Sequence, residues 1–170
     1  MTSADVSDIA RVGPARTILA IDPGTVRSAW VEYDPSWCRV SDFGIDPNQI
    51  MRVIVADWTG DGPVVIEKIE SYGMAVGAEI FETVFWTGRF AEAAFPRPVF
   101  RLPRRDVKLH LCGDTRAKDP NIRQALLDRF GGKSATGTKK APGPLYGIHA
   151  DLWAALAVAV TYADLHGGAK

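Results

Sequence analysis

Two carboxylates share an unusual setting in this chain. Asp22 ends the apolar run Thr17-Ile-Leu-Ala-Ile-Asp22, and Glu67 ends the run Val64-Val-Ile-Glu67; each is followed by a turn or loop. An acid closing a buried strand lies at the edge of its sheet. If the two strands are neighbours, both acids meet at the same edge. Two acids held close together repel, and such an arrangement persists only when a proton or a cation neutralises them. Donor sets made of oxygen alone favour Mg2+ or Mn2+ over zinc. A third acid, Asp151, stands where the last apolar stretch begins. There a carboxylate serves either a site or the helix terminus, since an Asp facing the helix dipole is worth about 0.3–1 kcal/mol.

Other chemistry is poorly supported. Cys38 and Cys112 are the two cysteines, too few for a disulfide framework. His110 beside Cys112 resembles half of a metal site, but a zinc site needs about four N/S ligands and no second Cys/His pair lies nearby. Both thiols are expected to be buried or half-buried.

The elements that must position the acids follow from apolar spacing. Residues 1–16 lack periodicity and read as a loose tail, leaving 17–170 as one domain. Residues 17–22 suit a central buried strand. Pro23-Gly24-Thr25 turns the chain, and 28–33 and 37–43 continue as a meander. Asp46-Pro47 starts a short helix carrying Ile50, Val53, Ile54 and Asp57. After the strand at 64–67, a long helix is expected over 77–94, with Ile80, Phe81, Val84, Phe85 and Gly88 forming its packed face. Residues 99–102 read as a strand, and Pro103 opens a helix to about 111. Asp119-Pro120 reads as N-cap and first helical residue of a helix that Gly131-Gly132 stops. Residues 133–144 form a polar loop expected to be mobile when no ligand is bound. The last helix runs over 151–165, with Leu152, Leu156, Ala159 and Val160 on one face. This order describes an α/β fold with a mixed sheet of about five strands flanked by helices.

Composition agrees with that reading. The chain has 170 residues, 46% of them hydrophobic and 24% charged, which suits a single packed domain and excludes disordered, collagen-like and coiled-coil chains. Its longest apolar runs fall far short of the roughly 20 residues a spanning helix needs. Asp5 and Asp8 near the start are at odds with a signal peptide, so a soluble, cytoplasmic protein is expected. The formal net charge of zero hides an asymmetry. Residues 97–140 hold twelve Lys/Arg against four Asp/Glu, whereas residues 1–96 hold seven against fourteen. A basic block in an otherwise acidic chain suits a polyanion surface, although a solvated basic face gives the same pattern.

Three segments then carry a resemblance. Ala20-Ile-Asp-Pro-Gly-Thr25, Val65-Ile-Glu67 and His149-Ala-Asp-Leu-Trp-Ala-Ala-Leu-Ala-Val-Ala-Val-Thr161 occur in the order and spacing of the RuvC-like Holliday junction resolvases. The similarity spans roughly residues 17–166 and includes the basic block between the second and third segments. It implies an RNase H-like fold and a metal-dependent endonuclease that cuts four-way DNA junctions by phosphodiester hydrolysis. Asp22, Glu67 and Asp151 match the family's metal carboxylates, with Asp22 bridging two Mg2+ or Mn2+ ions about 4 Å apart. The family's fourth ligand, an Asp or His three residues before the last acid, falls on Ile148. His149 is therefore the candidate for that ligand or for a proton-transfer group, the alternative being a structural or DNA-contacting histidine, with Asp114 and Asp119 as weaker substitutes.

Arg101, Arg104, Arg105, Lys108, Arg116, Lys118, Lys133, Lys139 and Lys140 are expected to contact phosphates, supplying affinity more than sequence choice. Tyr72 and Met74 fall where the family carries a loop that probes the junction centre, so Tyr72 could stack on a base or simply pack. A resolvase cuts two strands symmetrically, which implies a homodimer. Three rivals remain: an RNase H-like nuclease acting on structured RNA or other branched DNA, a junction binder without catalysis, and an actin-type phosphate-binding module. The last needs a second Asp-x-Gly-Thr half and a longer chain.

Overall fold

The structure is a computed structural model describing residues 17–167 apart from 72 and 74, so the expected tail at 1–16 and the side chains of Tyr72 and Met74 lie outside the described residues. Five strands form one sheet: β1 (Ile18–Asp22), β2 (Arg27–Asp34), β3 (Arg39–Pro47), β4 (Val64–Lys68) and β5 (Val99–Pro103), in the order β3-β2-β1-β4-β5. The helices are α1 (Asn48–Asp57), α2 (Ala78–Ala93), α3 (Arg104–Cys112), α4 (Asp119–Arg129) and α5 (Leu152–His166). β1 runs antiparallel to β2 but parallel to β4, and β4 is parallel to β5. The mixed five-stranded sheet expected from the sequence is therefore present.

The register brings the two strand-end acids together. Leu19 pairs with Val64 and Ile21 with Ile66, so the next step along both strands sets Asp22 beside Glu67. Side chains alternate between the faces of a sheet. Leu19, Ile21, Val64 and Ile66 pack with Met51, Val55, Trp86 and Phe90 on the α1/α2 side. Ile18, Ala20 and Val65 pack with α5 on the other side. The same alternation sends Asp22 and Glu67 to the α5 side.

Burial explains α5. Eleven of its fifteen residues are buried, among them four alanines, so it lies against the sheet as a central core helix and not a one-faced surface helix. Removing a side chain such as Leu156 from this interface leaves a cavity, a change that typically costs 2–5 kcal/mol.

Several expectations are corrected. On α1 the packed residues are Asn48, Met51 and Val55, while Ile50 and Val53 are about half exposed. On α2 the packed face is Thr83, Trp86, Thr87 and Phe90, leaving Phe81 65% and Phe85 53% exposed. The two large rings Trp86 and Phe90, four residues apart, fill the space over β1 and β4 and turn the other apolar stripe outward. At α4 the N-cap is Lys118, whose backbone N–H donates to Asn121 Oδ1 at 2.9 Å, so Asp119 and Pro120 lie inside the first turn. Residues 133–144 fold locally: a 3-10 turn spans Gly132–Ala135, Ala135 is buried, and the Leu145 N–H donates to its carbonyl at 2.8 Å. Gly137 sits at φ 61 against Gly143 and Ala141 backbone atoms, where a Cβ has no room. Cys38 is exposed and not buried, whereas Cys112 is half-buried as expected.

Candidate metal and nucleic-acid site

The turn after β1 is anchored from the far side of the sheet. Asn48, fully buried at the start of α1, donates from Nδ2 to the Gly24 carbonyl at 2.9 Å and accepts at Oδ1 from the Ser28 hydroxyl at 2.7 Å. Its own N–H donates to the Val26 carbonyl at 2.9 Å, and the Gly24 N–H donates to Ser28 Oγ at 3.2 Å. Asp22 is thus followed by a fixed backbone. The spacing of apolar residues carries no trace of this network; the Asp46-Pro47-Asn48 helix start is the nearest signal in the sequence.

Asp22, Asp119 and Asp151 line one cavity of about 200 Å3 together with Arg104, Ile122, Ala150, Trp153 and Ala154. Asp151 stands at the mouth of α5 with no capping hydrogen bond from its side chain, so its carboxylate is not spent on the helix end. Burial pushes the Asp22 carboxyl up to about 8, and the charges of Glu67, Asp151 and Asp119 push the same way against the pull of Arg104. Burial also raises the Glu67 carboxyl, again opposed by Arg104. The field in the cavity is short of positive charge.

Arg104, the first residue of α3, answers part of that deficit. Its Nη1 lies 3.1 Å and 3.4 Å from the two Glu67 carboxylate oxygens, and its Nη2 lies 2.5 Å from Asp119 Oδ1. Among the described residues no three His, Cys, Asp or Glu side chains converge closely enough to hold a metal ion as they stand. The donors fit a hard divalent cation in kind, being carboxylate oxygens around uncompensated negative charge. In place, the Arg104 guanidinium sits where Glu67 and Asp119 would turn to such an ion.

His149 is placed elsewhere. Its Nδ1 lies 2.7 Å from the Gly147 carbonyl, and the ring lines a neighbouring groove of about 580 Å3 with Arg123, Gln124, Leu127 and Trp153, not the carboxylate cavity. Ile148 is buried in the core. Asp114 accepts from the Arg116 backbone N–H at 2.8 Å, away from the cavity, so of the two substitute acids only Asp119 is brought to the site.

The architecture can be compared with known proteins at this point. No family model and no curated protein sequence matches the chain. Among solved structures, Thermus thermophilus RuvC superposes with a TM-score of 0.62 at 19% identity, covering 88% of this chain and 96% of that one. T. thermophilus RuvC in complex with Holliday junction substrate gives 0.62 at 21% identity, over 87% and 93% of the two chains. The fold is that of RuvC.

On this RuvC fold the basic residues divide into two groups. Arg104, Arg105 and Lys108 line a cleft of about 230 Å3 with Thr115, next to the carboxylate cavity and sharing Arg104 with it. Arg101, Arg116, Lys118, Lys133, Lys139 and Lys140 are exposed. Its place in the basic block suggests that Arg104 faces phosphate, whereas the fold turns it onto two carboxylates. No helix among the described residues is long and apolar enough to cross a membrane.

Proposed function

We propose that this protein is a divalent-metal-dependent endonuclease that cuts branched DNA, with four-way junctions as its substrate. The observation that carries the reading is the cavity in which Asp22 and Asp151, from β1 and the start of α5, meet beside Glu67 of β4, with Asp22 held up to about 8. Asp22, Glu67 and Asp151 would hold Mg2+ or Mn2+, two ions per site, which supply an activated water and charge stabilisation for phosphodiester hydrolysis. The chain's own part is positional. β1 and β4 fix two carboxylates in register, α5 delivers the third, and the Asn48 network locks the turn behind Asp22. Arg105 and Lys108 receive the backbone phosphate in the adjoining cleft. The exposed arc of Arg101, Arg116, Lys118, Lys133, Lys139 and Lys140 carries the flanking duplex arms, and His149 contacts DNA from the neighbouring groove.

A second copy of the chain is the partner of α2. Ile80, Phe81, Val84 and Phe85 expose one apolar stripe, more than a lone surface residue explains. Two symmetric cuts on a four-armed substrate need two sites related by a twofold axis. Phe81→Glu with Phe85→Glu should convert a dimer to a monomer in sedimentation; an unchanged mass would remove this face from the assembly.

The deciding test is cleavage of labelled four-way, flap and linear DNA, and of structured RNA, in Mg2+ and Mn2+. Paired nicks on the four-way substrate, lost in Asp22→Asn, support the proposal; a preference for RNA or no cleavage overturns it. Tight junction binding without cleavage is the outcome expected of a chain in which Arg104 never releases Glu67, and the same assay separates it.

A further inference from the structure

Arg104 does something that none of the other described basic residues does. Its side chain spans the wall between the carboxylate cavity and the cationic cleft, lining both. Both ends of its fork are engaged by carboxylates, Glu67 through Nη1 and Asp119 through Nη2. Glu67 is buried, with 8% of its side chain exposed, while 35% of the Arg104 side chain is exposed. A buried carboxylate stripped of its partner is strongly destabilising, so something positive must stay beside Glu67 in the folded chain. A guanidinium matches two carboxylates through its planar fork in a way a lysine cannot.

We infer that Arg104 is the resident cation of the carboxylate site, a positioning residue that holds Glu67 and Asp119 in the metal-free protein and competes with divalent metal for them. The inference rests on the proposed reading of this cavity as a metal site. Binding is a difference between states, so every contact Arg104 makes with Glu67 before metal arrives is subtracted from the metal's affinity. Asp119 thereby enters the site as the fourth carboxylate, the place that Ile148 leaves without an acid. Its link to Arg104 also explains why α4 starts one residue earlier than Asp119-Pro120 suggests: Asn121 satisfies the backbone at the helix start, leaving the Asp119 carboxylate free for Arg104.

The test is Mn2+ binding by titration calorimetry on the full chain, in wild type, Arg104→Gln, Arg104→Lys and Asp22→Asn, with melting temperatures taken with and without Mn2+. Arg104→Gln should bind Mn2+ about tenfold more tightly, as removal of a unit charge a few ångströms from the ion requires. Its metal-free form should melt below wild type, and saturating Mn2+ should raise its melting temperature by more than it raises that of wild type. Arg104→Lys keeps the charge but loses the fork, so it should fall between the two and serves if the glutamine variant does not fold. Mn2+ affinity at or below the wild-type value in both Arg104 variants, with binding lost in Asp22→Asn, overturns the competition and leaves the metal site standing. Wild-type Mn2+ binding in Asp22→Asn overturns the site itself, and the inference with it.

Discussion

The two ends of α5 carry opposite solutions to the same problem. At its start, Asp22, Glu67, Asp119 and Asp151 gather near Arg104, which pairs with Glu67 and Asp119, and burial raises the carboxyls of Asp22 and Glu67. Near its end, Asp164 alone receives two partners, the Arg129 guanidinium and the His110 imidazole. Arg129 meets it with both nitrogens at 2.7 and 2.6 Å, and His110 Nε2 lies 2.7 Å from the same carboxylate. Those hydrogen bonds from Arg129 and His110 hold the Asp164 carboxyl below its usual range, although burial pulls the other way. One cluster is saturated and joins α3, α4 and α5. The other is left in deficit at the edge where three segments meet. A protein selected only for stability has no reason to gather acids around one arginine, so the deficit marks where chemistry is expected and the saturated end marks where architecture is maintained.

The contrast can be broken by opposite substitutions. Asp22→Asn should abolish cleavage, by roughly 10³-fold or more, as measured by initial rates on the four-way substrate. In the metal-free protein it should also flatten the dependence of stability on pH. A carboxyl raised to about 8 contributes its full stability below the unfolded value and loses it as pH rises through the folded one, so wild type should weaken between about pH 4 and 8. Melting temperatures across that range, without metal, check the slope; an equal slope in the asparagine variant breaks the comparison. Asp164→Ala should act in reverse. It should cost about 1–2 kcal/mol at neutral pH, discounted for the partial exposure of the pair, and leave Mn2+ affinity unchanged. Because the Asp164 carboxyl is depressed, its contribution is present above the unfolded value and is lost as pH falls below about 4. Denaturant titrations at pH 7 and pH 3 read this directly. His110→Gln is the mildest probe: with Arg129 still bidentate on Asp164, the loss should stay below about 1 kcal/mol.

Much of this contrast was open to view in the sequence and part of it was not. Strand ends announce themselves because an apolar run terminating in an acid has few other uses, and Asp22, Glu67 and Asp151 are brought near one another as their spacing implies. The order of strands and helices was legible for the same reason. The packed faces of α1 and α2 were not. When a helix carries apolar residues on two stripes, periodicity reports both and cannot say which one faces the sheet; the bulk of Trp86 and Phe90 decides it. Arg104 was hidden by its neighbours, since one cation in a basic block looks like the next until the chain folds two acids onto it. Asp164 gave no signal, being an ordinary acid on the solvent side of a helix whose partners lie 35 and 54 residues away.

Asn48 deserves a last consequence. A single amide, reached through the sheet, clamps the corner from which Asp22 projects, and the same amide begins the helix that packs against α2. The edge proposed to carry the chemistry and the face proposed to meet a second copy are therefore mounted on one bracket. Twist applied at the α1/α2 side would reach the carboxylate through the Asn48 hydrogen bonds, so alignment of the two edges in a pair of protomers would depend on the stiffness of that buried joint.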